Sequence, residues 1–91
     1  MQVQNIDAKN KLKFALGKVI KTYREKTGKS ISQISAEIMM SKSVWRNIEL
    51  GKSDVRSSTL WLICEALDVT PELVYLDARK LLGKNFCISE L

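Results

Sequence analysis

The run SKSVWRN at residues 41–47 gathers an ammonium (Lys42), a hydroxyl (Ser43), a branched methyl group (Val44), a guanidinium (Arg46) and a carboxamide (Asn47) within two helical turns. Such groups can read base edges. Lysine donates to guanine O6 or N7, asparagine pairs with adenine N6 and N7, and valine can meet a thymine methyl. Arg46, one turn on, is better placed for a phosphate. Catalysis finds no comparable set, because the chain has no histidine and no nucleophile beside a base. Taken alone, the same polar edge would also describe a solvated face of a surface helix.

What gives the edge meaning is the frame around it. Ser30 and Gln33 form a Ser-x-x-Gln capping box that opens one helix, with Ile31, Ile34 and Ile38 on one stripe. Ser41 caps the next, which buries Trp45 and Ile48 and stops at Gly51. Two short helices joined by a tight turn, the second presenting polar groups outward, are the layout of a helix-turn-helix.

Helical spacing recurs along the rest of the chain, with no sustained alternation of period two. A first helix over roughly 11–26 places Leu12, Leu16, Val19, Ile20 and Tyr23 on one face, and Gly28 closes it. A fourth, from about Ser57 to Leu67, buries Leu60, Ile63, Cys64 and Leu67. A fifth opens with Thr70 as cap and Pro71 at its first position. The expected fold is all-α, a compact bundle of five helices without strands. Residues 1–10 are expected as a flexible arm, 11–82 as the helix-turn-helix domain and 83–91 as a loose tail.

The net charge of +5 is unevenly spread. Residues 1–29 carry eight Lys/Arg against two acids, residues 30–56 four against three, and residues 57–91 three against five. A basic front and a mildly acidic back suit a protein that lays one side on a polyanion, although lysines on a first amphipathic helix could simply solvate it. Cys64 sits in an apolar helical pattern and reads as core; Cys87 lies in the tail, and neither suggests a metal or a disulfide. No metal or other cofactor is expected. Without an apolar run long enough to span a bilayer, or a signal-peptide core in the polar start, the expected address is the cytoplasm or nucleoid, with no membrane partner.

Backbone amides at helix starts attract phosphates, which nominates Ser30, Ile31 through its amide, Ser57 and Ser58. Ser57 and Ser58 could equally serve as N-caps. Ser41 and Arg46 join the backbone-contacting set, and Lys52, Ser53 and Arg56 could clamp the same strand from the following loop.

The segment from Leu16 to Leu76 resembles the lambda-repressor and Cro type of helix-turn-helix domain, the Xre family. The resemblance rests on Arg24…Gly28-Lys29-Ser30, Ile34-Ser35, Ser41 followed by Ile48-Glu49-Leu50-Gly51-Lys52, and Thr59–Val69 followed by Thr70-Pro71-Glu72-Leu73. It covers about two thirds of the chain and implies a five-helix lambda-repressor-like domain with the third helix reading DNA, residues 42, 43 and 47 facing bases. It implies a structural ion pair between Arg24 and Glu49. Ser35 would take the small-residue site where the two helices cross, and Met39 the turn position that usually holds glycine. Ile31 stands where family members often carry a phosphate-touching glutamine, and Trp45 replaces a smaller aliphatic residue.

The expected function is that of a sequence-specific regulator binding double-stranded DNA, a dimeric repressor or controller on a palindromic operator. The homodimer surface would use Trp61, Leu73, Tyr75, Leu76, Leu81 and Leu82, unless these finish the core or pack the tail. A protein partner is a further possibility, and the alternative is an antitoxin-like or protein-interaction module that keeps the fold with little or no DNA reading.

Overall fold

The computed structural model describes residues 3–4 and 6–90. Met1, Gln2, Asn5 and Leu91, parts of the expected arm and tail, lie outside the described residues. Five helices follow one another, α1 (Ile6–Thr27), α2 (Ile31–Glu37), α3 (Lys42–Glu49), α4 (Ser57–Leu67) and α5 (Pro71–Leu82). Short strands β1 (Val3–Gln4) and β2 (Ser89–Glu90) flank them.

The core forms where the apolar stripes meet. Leu16, Val19 and Ile20 of α1 pack with Ile34, Trp45, Ile48, Leu60, Ile63, Leu67 and Val74. Trp45 is the largest fully buried side chain. Cys64 is buried among these residues, and desolvation pushes its thiol pKa up. The Tyr23 hydroxyl donates to Asp77 and ties α1 to α5.

Two features differ from the sequence reading. Helix α1 starts at Ile6, not near Lys11, so residues 6–10, half of the expected arm, are helical. Ala8 is buried and extends the apolar stripe one turn upstream, and Asp7 in the first turn suits the helix dipole. The expectation of no strands is also corrected. β1 and β2 pair antiparallel, Val3 opposite Glu90 and Gln4 opposite Ser89, so the tail returns to the start of the chain. No helix is long and apolar enough to cross a membrane among the described residues.

The helix ends follow their local chemistry, with two exceptions to the expected caps. Ser30 and Gln33 close the capping box through Gln33 N–H to Ser30 Oγ (3.1 Å) and Ser30 N–H to Gln33 Oε1 (2.8 Å). Ser41 Oγ accepts from Val44 N–H at 3.1 Å. At α4, however, Arg56 holds the cap position and no side chain caps the helix; Ser57 is already its first residue. Thr70 holds the cap position of α5 without a side-chain cap bond.

Candidate nucleic-acid interface

Helix α3 presents two contrasting edges. Trp45, Ile48 and Glu49 are buried, whereas Lys42, Ser43, Val44 and Arg46 are exposed and Asn47 is half-buried. One edge anchors the helix; the other is free to meet a ligand. Ser41 stands at the exposed N-terminal end and holds the first turn through its cap bond.

The anchor is a polar network inside the apolar packing. Arg24 grips Glu49 with two bonds, Nε to Oε2 at 2.6 Å and Nη2 to Oε1 at 3.1 Å. The Trp45 indole N–H donates to the same Oε2 at 2.6 Å. A third Arg24 nitrogen donates to the Lys29 carbonyl at 3.0 Å, immediately before α2. One guanidinium therefore ties the end of α3 to the entrance of α2. Its hydrogen bonds to Glu49 raise the Arg24 pKa and keep it charged, and burial opposes this only in part. Because the carboxylate is charged, buried and fully partnered, it contributes to positioning; losing one partner would leave a costly buried charge.

Close backbone approach completes the anchor. At Gly17, on the α3 side of α1, an added β-carbon would lie 2.3 Å from the Ile48 carbonyl oxygen and 2.6 Å from that of Glu49. Only glycine lets the two backbones come this near. Gly51, at φ +74°, then turns the chain out of α3, and its own added β-carbon would meet the Phe14 backbone at 2.8 Å.

Between α2 and α3 the chain makes a Schellman turn, Met40 N–H donating to the Ser35 carbonyl at 2.9 Å. Met39 occupies the left-handed position at φ 55°, with its side chain 95% exposed. Ser35 is buried at the crossing, and its hydroxyl donates to the Ile31 carbonyl at 2.6 Å. An exposed ion pair from Lys29 to Glu37 (2.6 Å) spans α2 and contributes little in water.

The remaining nominated residues fall into groups. Ser30 is exposed at the start of α2 and Ile31 is half-buried, so only its backbone amide can offer a contact. Lys52 and Arg56 are exposed in the loop after α3, with Ser53 half-buried. Ser57 and Ser58 are exposed at the uncapped start of α4, where amides lack a side-chain acceptor.

The apolar set expected at a dimer surface is divided. Trp61, Leu73, Tyr75 and Leu76 are exposed on α4 and α5, together with Leu62, which sequence reasoning passed over. Leu81 is exposed as well and lines a groove between α1 and the tail beyond Gly83, whereas Leu82 is half-buried against the protein's own core. Sequence reasoning also missed Trp45 as a partner of Glu49 and Gly17 as the contact point for α3. The signals were present: the i, i+4 spacing of Trp45 and Glu49, and a glycine inside a helical pattern.

Comparison with known proteins bears on this frame. The family model described as helix-turn-helix matches residues 20–74, from the middle of α1 into α5. Two solved structures of the clp gene regulator ClgR from Corynebacterium glutamicum share the fold. One is 23% identical with a TM-score of 0.76, over 81% of this chain and 96% of that one. The other is 24% identical with a TM-score of 0.74, over 77% of this chain and 74% of that one. No curated protein sequence matches the chain.

Proposed function

From the premise that this chain belongs to the lambda-repressor-type helix-turn-helix family, one of DNA-binding regulators, we propose that it is a sequence-specific transcriptional regulator of double-stranded DNA. Helix α3 enters the major groove, with Lys42, Ser43, Val44 and Asn47 against base edges. Ser30, the Ile31 amide, Ser41, Arg46, Lys52, Ser53, Arg56, Ser57 and Ser58 take the backbone. The observation that carries this reading is the asymmetry of α3: a fully anchored inner edge and a polar outer edge left open. The uncapped amides of α4 support it further, since a phosphate is the natural acceptor for them.

The protein acts as a dimeric repressor or controller on a palindromic operator, because one such domain makes few contacts and two-fold pairing doubles them. The pairing surface is the exposed apolar group of Trp61, Leu73, Tyr75 and Leu76. The similar structures are those of a clp gene regulator, which favours the same class of work.

Selection of binding sites from a random duplex pool tests the reading. The expected product is an inverted repeat with half-site centres about one helical turn apart, roughly 34–36 Å. Affinity should fall steeply between low and moderate salt as phosphate contacts release counterions. A pool that returns no motif, with no duplex binding at low salt, refutes the proposal.

A further inference from the structure

On the side of α1 that carries Phe14, an open groove of about 1150 Å³ runs between α1 and the end of α5 with its returning tail. Its lining mixes apolar side chains with lysines and asparagines. Phe14 and Leu81 are each 57% exposed and face the same groove, with Phe86 half-buried beside them. The groove has a built wall. Arg79 Nη1 donates to the carbonyls of Gly83 (3.3 Å) and Lys84 (3.4 Å), and the β1–β2 pairing fixes the other end of the tail.

Charge gives the groove its direction. Lys11 and Lys18 bracket Phe14 on one helix face at i−3 and i+4, and the Lys18 ammonium lies 5.6 Å from the ring centroid. Lys84 contributes from the tail, and Asp7 is the only acidic lining residue among those described. No carboxylate among the described residues forms an ion pair with Lys11, Lys18 or Lys84. An apolar floor beneath unpaired ammoniums is complementary to an anionic head on an apolar body. An extended peptide would look for a strand edge, whereas the main walls are helices whose amides are bonded internally.

We propose that this groove binds the carboxylate end of a fatty-acyl ligand. The head sits between Lys11 and Lys18, and the chain runs over Phe14 toward Leu81 and Phe86. Gly51, which ends α3, lines the same groove and abuts Phe14, so the ligand is an effector of DNA binding; that role rests on the function proposed above, but the binding does not.

The test titrates the full chain with sodium dodecanoate below its micelle-forming concentration, followed by amide and aromatic NMR shifts. Dodecyltrimethylammonium is the charge-reversed control. Saturable shifts confined to Phe14, Gly51, Leu81 and Phe86 are expected. The double variant Lys11→Gln/Lys18→Gln should weaken binding about five- to tenfold, the loss of two exposed ion pairs. Leu81→Asp, at an exposed position that leaves the core intact, should abolish it. Equal binding of the cationic control, shifts centred on Trp61 and Tyr75, or no saturation would overturn the site. Saturable groove binding that leaves duplex affinity unchanged would overturn the effector role. Failure of the ligand-free protein to bind duplex would count instead against the proposed function.

Discussion

Replacing Met39 by glycine should stabilise the protein, although the substitution removes a large side chain. At φ 55° Met39 sits in the left-handed region, which costs a residue with a β-carbon about 1–2 kcal/mol. Its side chain is 95% exposed, so truncation forfeits almost no buried area. Glycine relieves the strain but enlarges the conformational freedom of the unfolded chain, an opposing effect of about 0.4–1 kcal/mol. The balance favours Met39→Gly by about 0.5–1 kcal/mol, or roughly 2–8 °C in Tm for a domain of this size. Urea denaturation is the direct assay, and the midpoint should rise with an unchanged slope. Met39→Ala keeps the β-carbon and the strain, so its midpoint should stay near that of the parent. A glycine variant no more stable than the alanine variant would refute the assignment of strain to this turn.

Three further outcomes follow from the anchor and the core. Gly17→Ala should lower stability by about 2–4 kcal/mol in chemical denaturation, because its β-carbon would stand 2.3 Å from a backbone oxygen that cannot swing aside. Glu49→Ala should cost about 2–4 kcal/mol, for it strips both Arg24 and the Trp45 indole of their acceptor, while Trp45→Phe should cost roughly half as much; equal midpoints for the two variants would contradict the shared-acceptor geometry. The hydrogen bond to Asp77, with burial and the nearby charge, raises the Tyr23 pKa above its ordinary value of 10.0. Its contribution is therefore complete below the unfolded pKa and lost as pH climbs through the higher folded one. Tyr23→Phe should flatten the alkaline limb of a stability–pH curve, and an identical limb in the variant would exclude Tyr23 as its source.

Much of the fold was legible because its signals are local. Ile31, Ile34 and Ile38 mark a stripe, and the Ser30–Gln33 box and Ser41 cap announce where helices start. Gly28 and Gly51 both hold the positive φ that ends a helix. The illegible parts depend on distant neighbours or on segments too short for a period. A two-residue strand has no alternation to detect, and the pairing of Val3 with Glu90 joins opposite ends of the sequence. Ala8 is a weak hydrophobic marker by itself and becomes informative only once its burial is known. At α4, serines suited to capping lie inside the helix, since the preceding Arg56 takes the extended backbone that a cap position requires. The exposed edge of α3 followed from spacing alone. The doubly used Glu49 oxygen, which fixes where that edge points, depends on the direction in which the buried Trp45 indole turns its N–H, and burial alone does not give that direction.

The ribbon that joins the two extremities has a kinetic consequence. Closing almost the whole polypeptide into one loop is entropically expensive, so these few bonds can form only after the helices have shortened the distance between them. They should also be the first to unzip. Amides of β1 and β2 should then exchange with deuterium through a local opening that leaves the interior of α1 protected.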